Sequence, residues 1–169
     1  MYALELAQLA DTAMCCEIIR DGRNFQKEQG FEQWTEKYPN RDTILCDIQS
    51  KKGYVVKENN EIIGYMCIDF SGEPAYAKIK GEWRSDLPYA VIHRMVFNKK
   101  YRGAGLSEIA FKMIEELCIQ HNIRNIRVDT DFLNKRMQHI LKKNGFINCG
   151  VIVFQGGEKL AFDKLLSDI

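Results

Sequence analysis

A chain of 169 residues, 46% of them hydrophobic, is long enough for one domain with a real core and too short for two comfortable ones. Lys and Arg total 24 against 23 for Asp and Glu, so no basic excess points to a nucleic-acid partner. No apolar run reaches bilayer length, and the start MYALELAQLAD lacks a basic region, apolar core and cleavage site; the reading is cytoplasmic, without a membrane partner.

Residues 2–7 alternate weakly and suggest a short edge strand. Asp11 stands where it can cap a helix whose apolar positions Met14, Cys15, Ile18, Ile19 and Phe25 keep helical spacing, with Gly22 weakening its end. The stretch GFEQWTEKYPN then carries two exposed-looking aromatics, and a second short helix follows over 42–51, broken by Gly53. From Tyr54 the pattern changes: 54–56 and 62–70 form a hairpin across the polar ENNE turn. The segment SGEPAYAKIKGEWRSDLPYA is too polar for core and too aromatic for a plain linker, and a long loop of this kind is usually functional.

A strand over 89–97 has apolar residues on both faces, which suits a central position. A basic turn, a glycine-rich loop and an amphipathic helix follow, the helix placing Leu106, Ile109, Ala110, Met113, Ile114, Leu117 and Cys118 on one stripe. A second strand over 123–130 completes a β-α-β crossover. NKRMQHILKKNG reads as a short helix with Met137, Ile140 and Leu141 inward and Gly145 as its stop. Residues 146–155 and 160–165 close the chain as a hairpin turned at Gly156-Gly157. The order β-αα-β-β-β-α-β-α-β-β predicts a mixed α/β sheet in a single domain over 1–169. The six cysteines (Cys15, Cys16, Cys46, Cys67, Cys118, Cys149) form no CxxC pair and read as reduced core thiols, with no metal site.

The stretch 90–117, AVIHRMVFNKKYRGAGLSEIAFKMIEEL, is where chemistry is expected. A loop at a helix start leaves backbone N–H groups unpaired where the helix dipole also favours negative charge. Glycines there let bare backbone approach an anion closely. This is a site for a phosphate or pyrophosphate.

These residues resemble the GCN5-related N-acetyltransferase (GNAT) superfamily. Its acetyl-CoA loop, Q/R-x-x-G-x-G/A, stands here as Arg102-Gly103-Ala104-Gly105-Leu106-Ser107, with Ser as the final small residue. The family's N-x-x-A/M ending in GF stands as Asn134, Met137, Gly145 and Phe146. The resemblance covers nearly the whole chain. It implies acetyl-CoA as co-substrate, its pyrophosphate on the amides of Arg102 to Ser107 with Lys99 and Lys100 adding charge. It further implies a splayed central strand offering main-chain groups of Met95, Val96 and Phe97 to the pantetheine arm, and Asn134 as a pantetheine ligand; the alternative for Asn134 is a plain helix cap.

Acetyl transfer to an amine needs a base. His93, on the face shared with Val91, Met95 and Phe97, is the leading candidate, against a buried structural histidine. Glu73 and Glu82 are carboxylate alternatives, while His121 and His139 read as solvated helix residues. Many relatives carry an acid Tyr seven residues after the Asn, where this chain has Leu141. Tyr76 or Tyr89 takes that role, or CoA leaves unassisted. Asp131 could orient His93 or touch substrate, but Asp129 and Asp131 read first as a surface strand end. Trp34, Tyr76, Trp83 and Tyr89 are expected to line the pocket for a small-molecule or peptide amine, or simply to cover the sheet. The function implied is N-acetylation of a primary amine by direct transfer in a ternary complex. The alternative is a non-catalytic CoA-binding or sensing protein on the same fold. A nucleotide-phosphate domain of another class is disfavoured, since no Lys-Ser/Thr follows the glycines. An exposed edge of the C-terminal hairpin makes a homodimer conceivable.

Overall fold

Turn residues and the switch between helical and alternating periods divide the chain into the expected elements. The computed structural model describes residues 1–103 and 105–167. In chain order these form β1 (Tyr2–Leu6), α1 (Thr12–Glu28), α2 (Arg41–Gln49), β2 (Gly53–Glu58), β3 (Glu61–Asp69) and β4 (Lys80–Gly81). There follow β5 (Ala90–Phe97), α3 (Leu106–Gln120), β6 (Asn125–Thr130), α4 (Lys135–Lys143), β7 (Ile147–Phe154) and β8 (Gly157–Leu165). The chain is mixed α/β in the predicted order, with the two-residue β4 added.

Two compact units share the chain: Met1–Ile68 with His93–Met113, and Asp69–Ile92 with the chain from Ile114 onward. In the first, β1 pairs antiparallel with β2 and β2 with β3. The β2–β3 turn places Asn59 and Asn60 at φ +49 and +71, the mirror-image turn that matches strand twist and that Asn tolerates. Beyond β5, the Asn98 N–H donates to the Ile63 carbonyl at 2.7 Å. The core gathers Cys15, Ile18 and Ile19 of α1, Ile44 and Ile48 of α2, Val55, Tyr65, Val96 and Trp34.

Several expectations change here. Asp11 makes no side-chain cap on α1; its carboxylate accepts from the Gln8 N–H at 2.8 Å and closes the turn before the helix. Met14 is 40% exposed, while Gly22 and Gln26 take inward positions. The helix runs on to Glu28, past Gly22. A Cβ there would stand 2.7 Å from Cγ2 of Val96 and 3.0 Å from the Trp34 ring, so the glycine makes room for them. Of the aromatics in the stretch 30–40, two of which look exposed in the sequence, Phe31 and Trp34 are buried and Tyr38 is half-buried.

In the second unit, β5 starts parallel to β6 (Ala90 opposite Ile126, Val91 opposite Arg127). Antiparallel ladders then join β6 to β8, β8 to β7, and β7 to β4. At the β4–β7 pair, Gly81 and Gly150 lie opposite each other, and a Cβ on either would come within 2.2 Å of a carbonyl oxygen of the other strand. The closing turn uses Gln155 (φ +54) and Gly156 (φ +76), one residue earlier than predicted, with Gly157 already paired to Phe154. The α3 stripe is inward as expected, with Leu106, Ala110, Ile114 and Cys118 buried and Phe111 added. All six cysteines are free thiols; Cys15, Cys67 and Cys118 are buried and Cys46 is exposed.

Gly22→Ala sets about 1 kcal/mol of helix propensity gained against overpacking of about 1–3 kcal/mol. Because Val96 is a short, branched neighbour in a packed core, a net loss of stability is expected in urea unfolding. A gain would show that the contact relaxes freely.

Candidate active site

In the first unit, β5 runs into the glycine loop. Arg94, in the middle of β5, has φ +57, a left-handed conformation that breaks the alternation of the strand. His93 precedes it and is half-buried. After it, Val96 packs under Gly22 and Trp34. The Phe97 ring lies where a Cβ on Gly64 would be, 2.7 Å from the nearest ring carbon. Trp34 is thus placed in the core beneath β5.

Beyond the strand, the Asn98 carboxamide accepts from the Lys100 N–H at 3.1 Å and starts a 3-10 turn over Lys99–Tyr101. The Arg102 guanidinium sits 4.2 Å over the Phe25 ring. Gly103 and Gly105 follow at φ +83 and +72, and a Cβ added at either would meet nothing within 4 Å. Ala104 lies outside the described residues. Leu106 is buried at the start of α3, with Ser107 half-buried in its first turn and Lys99 and Lys100 exposed. Open backbone with positive φ at a helix start fits an anion such as pyrophosphate.

The second unit brings Glu73, Tyr76, Trp83 and Tyr89 together. Tyr76 has no exposed surface; its hydroxyl donates to Asp129 at 2.7 Å, and the Trp83 indole N–H donates to its carbonyl at 2.9 Å. The Tyr89 hydroxyl accepts from the Glu73 N–H at 3.2 Å. With Val91, Ile152 and Ala161 these aromatics form a small core, so the loop is not too polar for the interior. The Arg127 guanidinium lies 4.0 Å over Tyr89 and 4.3 Å over Trp83, and donates to the Ser85 carbonyl at 2.6 Å. Arg84 closes the same loop onto buried Asp163, with Nε to Oδ1 at 2.6 Å and its own N–H to Oδ2 at 3.0 Å.

Asp129, read in the sequence first as a surface strand end, is half-buried beside this cluster. Burial pushes its carboxyl up from 3.8 to about 6; the Tyr76 hydrogen bond and Lys159 pull it down, and Glu73 pushes it up again. Burial first, and Asp129 second, hold the Tyr76 phenol well above its ordinary value, so it keeps its proton. Asp131 instead pairs with Lys159 at 3.1 Å and accepts from the Leu133 N–H at 2.9 Å. Asn134 caps α4, accepting from the Met137 N–H at 3.1 Å, and Leu141 is fully buried. Glu82 and His139 are exposed. His121 is exposed too, but its ring stacks on Phe70 at 4.2 Å. Arg94, Asp47, Arg127 and Asp163 belong to no sequence motif; for Arg94 the one local signal is a charge inside a strand of largely apolar residues.

The model of the acetyltransferase (GNAT) family matches residues 19–146. The chain therefore belongs to that family and is an N-acetyltransferase. A GNAT-family acetyltransferase from Streptococcus agalactiae 2603 is similar at 29% identity and TM-score 0.89, over 99% of this chain and 96% of that one. One from Listeria monocytogenes 4b F2365 shares the fold at 20% identity and TM-score 0.76, over 98% and 95% of the two chains. The aminoglycoside acetyltransferase AAC(6')-Ib, solved with coenzyme A, does so at 21% identity and TM-score 0.71, over 98% and 95%. A search of the curated proteins finds no match. No helix among the described residues is long and apolar enough to cross a membrane.

Because folding raises the Asp129 pKa, the folded state keeps a proton that the unfolded chain releases between 3.8 and about 6. The group therefore costs no stability below that window and costs most above it. Asp129→Asn lacks this titration, so its Tm relative to the native chain is expected to climb as pH rises from about 4 to about 7. A difference that stays flat with pH would refute the assignment.

Proposed function

We propose that the chain transfers an acetyl group from acetyl-CoA to a primary amine of a small molecule or peptide, directly, in a ternary complex. The observation that carries this reading is the open loop between β5 and α3, with two glycines at positive φ and bare backbone facing outward. Arg102, Gly103, Ala104, Gly105, Leu106 and Ser107 would hold the pyrophosphate through main-chain N–H groups, helped by the charge of Lys99 and Lys100. Met95, Val96 and Phe97 would offer main-chain groups to the pantetheine. Asn134, whose Oδ1 caps α4, would reach it through its amide N–H₂. Acetyl-CoA supplies an acyl group activated as a thioester.

The amine nitrogen forms a C–N bond to the thioester carbonyl carbon, the C–S bond breaks, and its electron pair leaves with sulfur as the CoA thiolate. The amine proton passes to a base. His93 is the first candidate. Asp129 is a second, because Tyr76 holds one of its oxygens and its carboxyl titrates near 6. Arg127 lies against Trp83 and Tyr89, and Tyr76 is buried, so these aromatics act as support. Glu73 and Asp129 are then left to attract the acceptor's cation.

Free-thiol release from acetyl-CoA across a panel of amines tests the activity. At least one primary amine is expected to turn over, and saturating acetyl-CoA is expected to raise the Tm. Gly105→Val places a branched residue at φ +72 and fills the cradle, so the KM for acetyl-CoA should rise at least about tenfold. Binding of acetyl-CoA with no turnover of any amine would favour the non-catalytic reading. Failure of acetyl-CoA to raise the Tm would sink both.

A further inference from the structure

Arg94 has a Cβ and yet sits at φ +57 within a strand. Such a conformation persists only where the surroundings over-determine it. Three hydrogen bonds from its guanidinium, and a fourth that holds its partner Asp47, do so. Nε and Nη2 donate to the two carboxylate oxygens of Asp47, at 3.0 and 2.6 Å. Nη1 donates to the Tyr38 hydroxyl at 2.6 Å, and the Tyr65 hydroxyl donates to Asp47 at 2.5 Å. The arginine and aspartate side chains keep only 11% and 8% of their surface. Asp47 comes from α2 and Tyr38 from the segment before it, and Tyr65 of β3 holds Asp47 in turn, so two pieces of chain grip Arg94 directly and a third through Asp47. Burial opposes the arginine's charge most, but Asp47, Cys67 and Tyr38 together outweigh it and the pKa is raised.

Two features argue against a purely stabilising role. A buried ion pair is weak evidence for stability, since desolvation offsets much of its attraction. The strand would also be less strained straight. What the turn at Arg94 changes is the direction of the groups that follow it, as a bulge re-aims a strand. Those groups belong to Met95, Val96 and Phe97.

We propose that Asp47 is a positioning residue for the donor: through Arg94 it fixes the turn of β5 that presents the main chain of Met95, Val96 and Phe97 to the pantetheine amides of acetyl-CoA. This rests on the acetyl-CoA reading above. Asp47 touches neither substrate nor reacting atoms, and its effect falls on the pantetheine half of the donor alone. The nucleotide half, held by the glycine loop, keeps its affinity when the grip on Arg94 is lost.

Calorimetric titration of the full chain with acetyl-CoA and with 3′-phospho-ADP, the nucleotide half of CoA, separates the two. For Asp47→Asn the acetyl-CoA Kd is expected to rise at least about tenfold, the size of one charged hydrogen bond, while the 3′-phospho-ADP Kd stays within about twofold. Arg94→Gly combined with Asp47→Asn removes both buried charges and puts at φ +57 the residue that adopts it freely. That variant is expected to fold and to show the same split, because the turn is then allowed but no longer held. Tyr65→Phe with Tyr38→Phe keeps both charges and is expected to give a smaller rise of the same kind. Unchanged acetyl-CoA affinity in the folded variants, or an equal loss for both ligands, would overturn the proposal. Failure of the native chain to bind either ligand would instead sink the acetyl-CoA reading itself.

Discussion

A residue with a Cβ held at positive φ stands about 1–3 kcal/mol above its relaxed conformations, so the turn at Arg94 needs compensation from outside the strand. The ion pair with Asp47 and the phenols of Tyr38 and Tyr65 provide it. Much of the first unit is arranged to the same end. α1 gives up a Cβ at Gly22, and Val96 and Trp34 close on the space. β3 gives up a Cβ at Gly64, and the Phe97 ring fills it. The residues after the turn are thus gripped through their side chains. A strand fixed in this way is held from its side chains as well as from its neighbours in the sheet.

The second unit solves a different problem, how to keep a long polar loop from moving. Arg84 and Arg127 do most of it. Arg84 brings its guanidinium and its own N–H to Asp163, which has no exposed surface. Arg127 carries Trp83 and Tyr89 on its flat cation, an arrangement Lys could not copy because an ammonium does not stack. The loop is therefore a wall, its aromatics committed to one another and to Arg127.

Periodic features were legible in the sequence. The α3 stripe, the β2–β3 hairpin and the loop before α3 each rest on spacing within about twenty residues, and each formed where the spacing put it. The glycine loop was legible for a second reason, since backbone that must be bare leaves a sequence mark. Long-range pairing left none. Asp47 lies 47 residues from Arg94, Tyr76 lies 53 from Asp129 and Arg84 lies 79 from Asp163, and no local pattern links such partners. Gly22 shows the same limit from the other side. Read locally it is a helix breaker, and only the Val96 and Trp34 side chains explain it. Trp34 and Tyr76, expected along a pocket wall, lie in the interior, because apolar residues surround them in the fold although polar ones do in the sequence.

The buried leucine at position 141 raises the question of how the departing sulfur is handled without an acid. Tyr76 is a poor substitute, since its hydroxyl is already given to Asp129 and burial holds its proton tightly. Below about 6 the pair carries one extra proton, on Asp129, and above it none, so near neutrality it accepts protons more readily than it donates them. That suits the amine side of the reaction. On the sulfur side, a thiol of ordinary pKa near 8.5 leaves as thiolate at pH 7 at a cost of only about 2 kcal/mol relative to the protonated form. The step demands much less of an acid than an alkoxide would. In the transfer proposed above, proton acceptance is therefore where a side chain matters most, and a leucine at 141 is compatible with that chemistry.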